Sequence, residues 1–283
     1  MLLLLLAQLA VATTAAPAPR APEAPTRAVQ ATRATRAPAI DGRNDDGIWQ
    51  SAPKVSEFRQ FQPNIDVDPT MKTEFQVAYD ARNLYVFVRM FDAHPDSIMH
   101  ALSRRDVRGA SDQVKLLIDS YNDKRTGFEL AVNPDGVKRD YAISNDGDED
   151  DSWNGIWDVA TRVDAEGWTA EFRVPLSQLR YDANGSHTFG FGIWRDIERR
   201  AERVAWPMYS PKKNGLASQL GELTDLAGIT SARRLEVAPY IVTRDLQRVR
   251  PNDTFRRAGE VSVGADIKLG ITPNITLDAT VNP

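Results

Sequence analysis

A chain of 283 residues has the length for one large or two modest domains and ample core. Its 35 basic residues against 39 acidic ones give a formal net charge of -4, which offers no basic stripe of the kind that nucleic-acid binders carry. There is no cysteine, so disulfides, thiolate metal sites and cysteine nucleophiles are ruled out.

The apolar run from Met1 to Ala12 gives way to small residues, the pattern of a secretory signal peptide ending by Ala16. It is shorter than the roughly 20 apolar residues of a spanning helix. Residues 17–37 shift to Ala, Pro, Thr and Arg, and read as a disordered linker that cannot bury enough apolar surface to offset its ordering entropy. Ile40 and Trp49 then bracket a polar turn as core anchors. Thr73, Phe75, Val77 and Tyr79 alternate with polar neighbours. Leu84, Val86, Val88 and Met90 face away from Tyr85 and Phe87, so this hairpin carries a central strand apolar on both sides. Residues 94–108 form an irregular connection.

Residues 112–141 read as three strands joined by turns at Asn122-Asp123 and at Asn133-Pro134-Asp135-Gly136. Val114, Leu116 and Ile118 take the core face, with Lys115, Leu117 and Asp119 outward. Further on, Trp168, Ala170, Phe172 and Val174 share one face, as do Phe189, Phe191, Ile193 and Arg195. Many short strands with almost no helical periodicity predict an all-β fold, an immunoglobulin-like or jelly-roll type β-sandwich.

Beyond Thr230 the alternation becomes strict and long, through Val261, Val263, Ala265, Ile267 and Leu269, and again through Ile275, Leu277, Ala279 and Val281. Segments of about ten alternating residues are the signature of outer-membrane barrel strands, and an ordinary amphipathic hairpin fits them equally well. Three strands cannot close a barrel, so residues 229–283 are expected to be the start of a truncated barrel-like domain.

A set of motifs in fixed order carries a resemblance. It runs I-D-G at 40–42, Trp49, V-A-Y-D at 77–80, L-Y-V at 84–86, D-Q-V at 112–114 and I-D at 118–119. V-N-P-D-G at 132–136, G-W-T-A-E-F-R-V-P at 167–175 and G-E-L at 221–223 continue it. Over residues 38–228 the chain resembles the carbohydrate-binding module family 9-like domain, and L-D-A-T-V-N-P at 277–283 resembles the start of the barrel-like domain that follows this module in bacterial envelope proteins. The resemblance implies a protein exported to the periplasm or outer membrane of a Gram-negative-type bacterium. It implies a partner that is a carbohydrate or another envelope glycan, with the outer membrane reached through the C-terminal part. The expected function is a carbohydrate-binding module, accessory to polysaccharide catabolism or glycan handling at the envelope. The alternatives are a plug or gating domain that has lost sugar binding, and an accessory part of a glycoside hydrolase.

Sugar-binding members of that family hold a terminal sugar between two tryptophans, beside an acidic and a basic side chain. Aligned on the motifs, those four positions carry Gly109, Asn214, Lys115 and Ala131. The replacement of a carboxylate by Lys115 predicts a more anionic ligand on that face. A pyranose still calls for a flat aromatic and planar hydrogen-bonding partners. Trp153, Trp157 and Tyr209, next to polar or Gly/Pro loops, are the candidate platforms. Core packing is the commoner fate of such residues. Arg195, on an otherwise apolar face, calls for a carboxylate or a ligand.

Asp119, Asn122 and Asp123 supply oxygens and form a weak calcium candidate, whereas the acidic loop 145–151 lacks the EF-hand pattern. His94, His100 and His187 are scattered with no zinc-binding spacing. No nucleophile elbow, phosphate loop or dinucleotide fingerprint appears, so the sequence gives no catalytic motif.

Overall fold

The structure is a computed structural model that describes residues 27–107, 109–181, 186–229, 235–249, 255–272 and 275–281. The expected signal peptide and residues 17–26 of the linker lie outside them. In chain order the strands are β1 (Ala28–Gln30), β2 (Thr32–Arg33), β3 (Arg59–Gln62), β4 (Thr73–Tyr79), β5 (Asn83–Phe91), β6 (Gln113–Asp119), β7 (Gly127–Val132), β8 (Lys138–Ser144) and β9 (Asp148–Asp150). They continue as β10 (Asp158–Asp164), β11 (Gly167–Pro175), β12 (Ser186–Ile197), β13 (Glu202–Trp206), β14 (Gly221–Ala227), β15 (Leu235–Val249), β16 (Phe255–Thr272) and β17 (Ile275–Val281). One short helix, α1 (Gly47–Ser51), stands where a polar turn was expected.

The strands form two facing sheets. One has nine strands, ordered β1-β14-β12-β6-β7-β8-β9, with β13 pairing to β12 and β3 to β13. The other has five, ordered β10-β11-β5-β4-β2. Phe75, Val77, Val86, Val88, Trp168 and Phe172 of the smaller sheet pack on Val114, Leu116, Leu130, Phe191, Ile193 and Trp206 of the larger, in one core. The alternation read from the sequence thus places the inward residues correctly, because a pleated strand sends successive side chains to opposite faces. Phe75 meets Phe191 and Trp206 at ring-centroid distances of 5.9 and 5.0 Å.

Two expectations fail in instructive ways. The stretch read as linker is structured from Ala28 onward. β1 pairs in parallel with β14 and β2 in parallel with β4, so the segment ties the two sheets together. Val29, Ala31 and Ala34 are small enough to be buried there, while backbone hydrogen bonds such as Ala31 N to Thr224 O satisfy the main chain. The second failure concerns β6, which was read with one buried face. All seven of its residues are buried, since Leu117 packs with Tyr141 and Ile143 beneath further side chains.

The sandwich also explains why the I-D-G and Trp49 motifs accompany G-W-T-A-E-F-R-V-P. Glu171 points out of the five-stranded sheet and is buried. Its Oε2 accepts the amides of Asp41 and Gly42 at 3.0 and 2.9 Å, and its Oε1 accepts Trp49 Nε1 at 2.8 Å. Trp49 in turn packs on Phe87 and Tyr85, on the outer side of β5. Trp168 lies in the main core, as expected.

After the sandwich, β15, β16 and β17 form a separate three-stranded antiparallel sheet. Register aligns Leu235, Val237 and Ile241 with Leu269, Ile267 and Val263, and aligns Leu269 and Ala265 with Leu277 and Val281. Over residues 235–241, 261–269 and 277–281 one face is therefore apolar. Among its members Leu235, Val237, Ile241, Val261, Val263, Leu277 and Val281 are exposed.

Candidate functional site

The outer face of the nine-stranded sheet carries a continuous set of polar and aromatic side chains. Pairing registers Trp194 of β12 with Lys115 of β6, Lys115 with Ala131 of β7, and Ala131 with Arg139 of β8. The adjacent row runs from Arg203 through Asp196 to Gln113, and the row on the other side from Leu117 through Glu129 to Tyr141. Strands about 4.8 Å apart make each row a line of neighbours. The loops around Gly109 and around Asn214 flank this face, and both of those residues are exposed. Of the four aligned family positions, Gly109 and Ala131 line one small depression, with Lys115 adjacent in the same row.

The charges here are mutually compensated. Lys115 Nζ lies 3.5 Å from Asp196 and 5.6 Å from the centre of the Trp194 ring. Gln113 Nε2 donates to Asp196 at 2.6 Å, and Arg139 donates to Glu129 at 3.1 Å. Burial, then the Glu129 charge, pushes the Tyr141 phenol well above its ordinary range. Lys115 lies on the outer face as the alternation predicted, but it is covered there and only 6% exposed. Its charge is answered by Asp196, so this face does not select an anion through Lys115.

Trp194 and Tyr209 form the accessible aromatic pair on this face. Both are half-buried, their centroids lie 4.6 Å apart, and Phe61 wedges against them at 5.0 and 5.2 Å. Tyr209, one of the expected platforms, keeps part of its ring exposed here. Trp194 was missed, although the placement of Phe189, Phe191, Ile193 and Arg195 on the inner face already put it outside.

The other candidates fall elsewhere. Trp157 is core: it is 2% exposed, stacks on Phe172 at 5.8 Å, and donates Nε1 to the buried Asp140 at 2.9 Å. It offers no free face to a sugar, because the irregular segment before β10 turns it into the main core. Trp153 is half-buried and lies on Phe128 with centroids 4.6 Å apart. Arg195 is fully buried and finds neither a ligand nor a salt bridge among the described residues. It crosses the core to donate to Lys72 O, Thr73 Oγ1 and Phe91 O at 2.9–3.1 Å, joining the two sheets. Burial lowers its guanidinium to about 10 against the pull of Asp112 and Asp92.

The calcium candidates do not fit a cation. Asp119 is fully buried and accepts the amides of Asp123 and Lys124 at 3.3 and 2.8 Å. Asp123 accepts the amides of Arg125 and Thr126 and the Thr126 hydroxyl. With Asn122 at φ +52° these residues build a tight turn, and their oxygens are spent on it. Among the described residues no group of three or more His, Cys, Asp or Glu converges to hold a metal. The acidic loop is used similarly: Asp146 caps the backbone of Leu216 and Ser218.

Comparison with known proteins agrees with this architecture. The family model described as carbohydrate family 9 binding domain-like matches residues 40–224. No curated protein matches the chain. Among solved structures, a proposed carbohydrate-binding protein from Bacteroides uniformis superposes with a TM-score of 0.54 at 12% identity, covering 70% of this chain and 98% of that one. A family 9 carbohydrate-binding module from Caldicellulosiruptor kristjanssonii, solved with glucose and with cellotriose, is 18% identical with a TM-score of 0.48. It covers 70% of this chain and 94% or 92% of its own. At these identities the Bacteroides protein shows a shared fold.

Proposed function

Since the chain belongs to the carbohydrate family 9 binding domain-like family, we propose that residues 38–228 are an exported sugar-binding module working at the cell envelope. The observation that carries this reading is the Trp194–Tyr209 pair, half-buried beside the partly exposed Arg203 on one sheet face, over the buried Lys115–Asp196 pair. An aromatic surface takes the apolar C–H face of a pyranose, and a guanidinium at its edge such as that of Arg203 takes the hydroxyls. The apolar face of β15–β17 supports the envelope part, since it matches the lipid-facing side of a barrel wall. Titration of the full chain with a panel of neutral oligosaccharides tests the reading. Binding should be saturable and fall roughly tenfold in Trp194→Ala, the equivalent of losing one good stacking contact. The absence of heat with every glycan would sink it.

A second reading, a module that has given up sugar binding for a structural role beside a barrel, is favoured by one observation. The depression between Ala131 and Gly109 measures only about 20 Å³, far below the roughly 300 Å³ at which ligand pockets begin. Under that reading Trp194→Ala changes stability alone.

A further inference from the structure

On the reading that the Trp194–Tyr209 face binds sugar, we infer that Asp146 and Gln219 are its positioning residues. Together they hold the loop of residues 207–220, between β13 and β14, so that Tyr209 lies against Trp194 before a ligand arrives. Connections of this length carry function or stay disordered unless something ties them down. Burial does not fix the tip, since Pro211, Lys212, Lys213 and Asn214 are all exposed.

Gln219 ties the loop to itself. It sits in a single 3-10 turn over Ala217–Gln219 and is buried. Its Oε1 accepts the Ser210 amide at 3.0 Å, and its Nε2 donates to Gly215 O at 2.7 Å. Longer contacts from Nε2 to Ser210 O and Lys213 O, at 3.3 and 3.4 Å, complete the set. A side-chain amide suits this role because it carries an acceptor and two donors in one plane. The two ends of the tip are thus joined through one buried group. Ser210, the residue next to Tyr209, is held by both its N–H and its C=O.

Asp146 ties the loop to the sheet. Asn145 and Asp146 have φ of +49° and +66°, and Gly147 N donates to Ser144 O at 2.9 Å, which makes the two-residue hairpin turn between β8 and β9. From that turn Asp146 Oδ1 accepts the amides of Leu216 and Ser218 at 3.1 and 2.7 Å. The Asp146 carbonyl oxygen also accepts Leu216 N, at 2.6 Å. Gly215 sits at φ +86° and so close that a Cβ there would collide with the Asp146 carboxylate, so glycine is what lets the loop reach its clasp. Burial, then the Asp146 charge, raises the Tyr209 phenol, which puts this carboxylate within electrostatic reach of the platform.

Both rings depend on the loop. Tyr209 leads directly into the residue that Gln219 holds, and Trp194 packs with Leu216 and Leu220 on the cluster of Leu117, Tyr141 and Ile143. A sugar that meets rings already in place avoids the cost of ordering them.

The test uses the full chain and reads Trp194 by acrylamide quenching of tryptophan fluorescence, together with calorimetric titration of cellotriose. Asp146→Ala and Gln219→Ala should each raise the quenchable fraction and weaken cellotriose binding roughly three- to tenfold, the ordering cost of about one side chain. Asp146→Asn, which keeps the accepting oxygen, should leave both values near those of the unsubstituted protein. The rise in quenching should vanish when the same changes are combined with Trp194→Phe, since Trp194 is the tryptophan that touches Tyr209. Far-ultraviolet circular dichroism checks that each variant is folded. Unchanged quenching in both Asp146→Ala and Gln219→Ala would overturn the inference, as would cellotriose affinity indifferent to both. So would a rise that persists beside Trp194→Phe, or an Asp146→Asn protein as impaired as Asp146→Ala. Quenching that follows the clasp while cellotriose and the other neutral glycans give no heat would count against the sugar reading alone.

Discussion

Two meanders in this chain read alike and end differently. β6–β8 and β15–β17 are both three antiparallel strands with alternating side chains. In the first, the inner face packs in the main core and the outer face is covered by Tyr141, Ile143, Trp194 and Leu220, so that even Lys115 and Glu129 are buried. In the second, the apolar face remains exposed, with Ile241 at 70% and Val261 at 68%. Period-two alternation says that a strand has two unlike faces. It does not say what covers either one, and that depends on which other segments the fold returns to the same place.

The sharpest way to break the contrast is to strip cover from the first meander. Trp157→Ala removes a stacked, fully packed ring and leaves Asp140 of β8 without one of its donors. A loss of about 3–5 kcal/mol is expected, read from urea unfolding of the sandwich. Asp112 comes next, at the start of the same meander. It is fully buried, one carboxylate oxygen has no hydrogen-bond partner, and burial pushes its carboxyl up to about 6 despite a backbone bond from Glu198 and the nearby Arg195. A carboxyl whose pKa is raised by folding costs stability once it ionises. That cost is absent below the unfolded value near 4, grows between about 4 and 6, and is fully present at pH 7. Asp112→Asn is therefore expected to stabilise the protein by about 2 kcal/mol at pH 7 and by nothing at pH 4. Equal gains at both pH values would show that the ionisation is not responsible. The smallest effect belongs to the second meander. Ile241→Lys in water should change stability by less than about 0.5 kcal/mol, as for any exposed position. In vesicles, the lipid-facing reading predicts a depth-dependent cost of about 2–4 kcal/mol to membrane association, and an unchanged partition would oppose it.

Much of the fold was legible because strands announce themselves by alternation and turns by their residues. The β4–β5 hairpin, the β6–β8 meander and the C-terminal strands β16 and β17 all lie where the pattern placed them. β1 and β2 were not legible, because an Ala- and Arg-rich segment carries no hydrophobic signal and is held by backbone pairing to two sheets instead. The candidate site was legible only in part. The loop around Tyr209 points to that ring, and strand register places Trp194 outside, while Arg195 on an apolar face is the anomaly that the sequence shows most plainly. That anomaly is structural, since the Arg195 guanidinium satisfies carbonyls of the facing sheet.

By itself the sequence determined that this is a β-sandwich with an ordered set of family motifs, since local alternation and turn chemistry act within a few residues of themselves. It determined too that the C-terminal strands are amphipathic. The tertiary structure alone decided which charges are free. Lys115 and Arg162 are both cations on alternating strands when read along the chain. In space Lys115 meets Asp196, some 80 residues away, and is covered and neutralised, while Arg162 stays exposed and makes no salt bridge among the described residues. Electrostatic pairing is settled by distance in three dimensions, and strand order sets that distance.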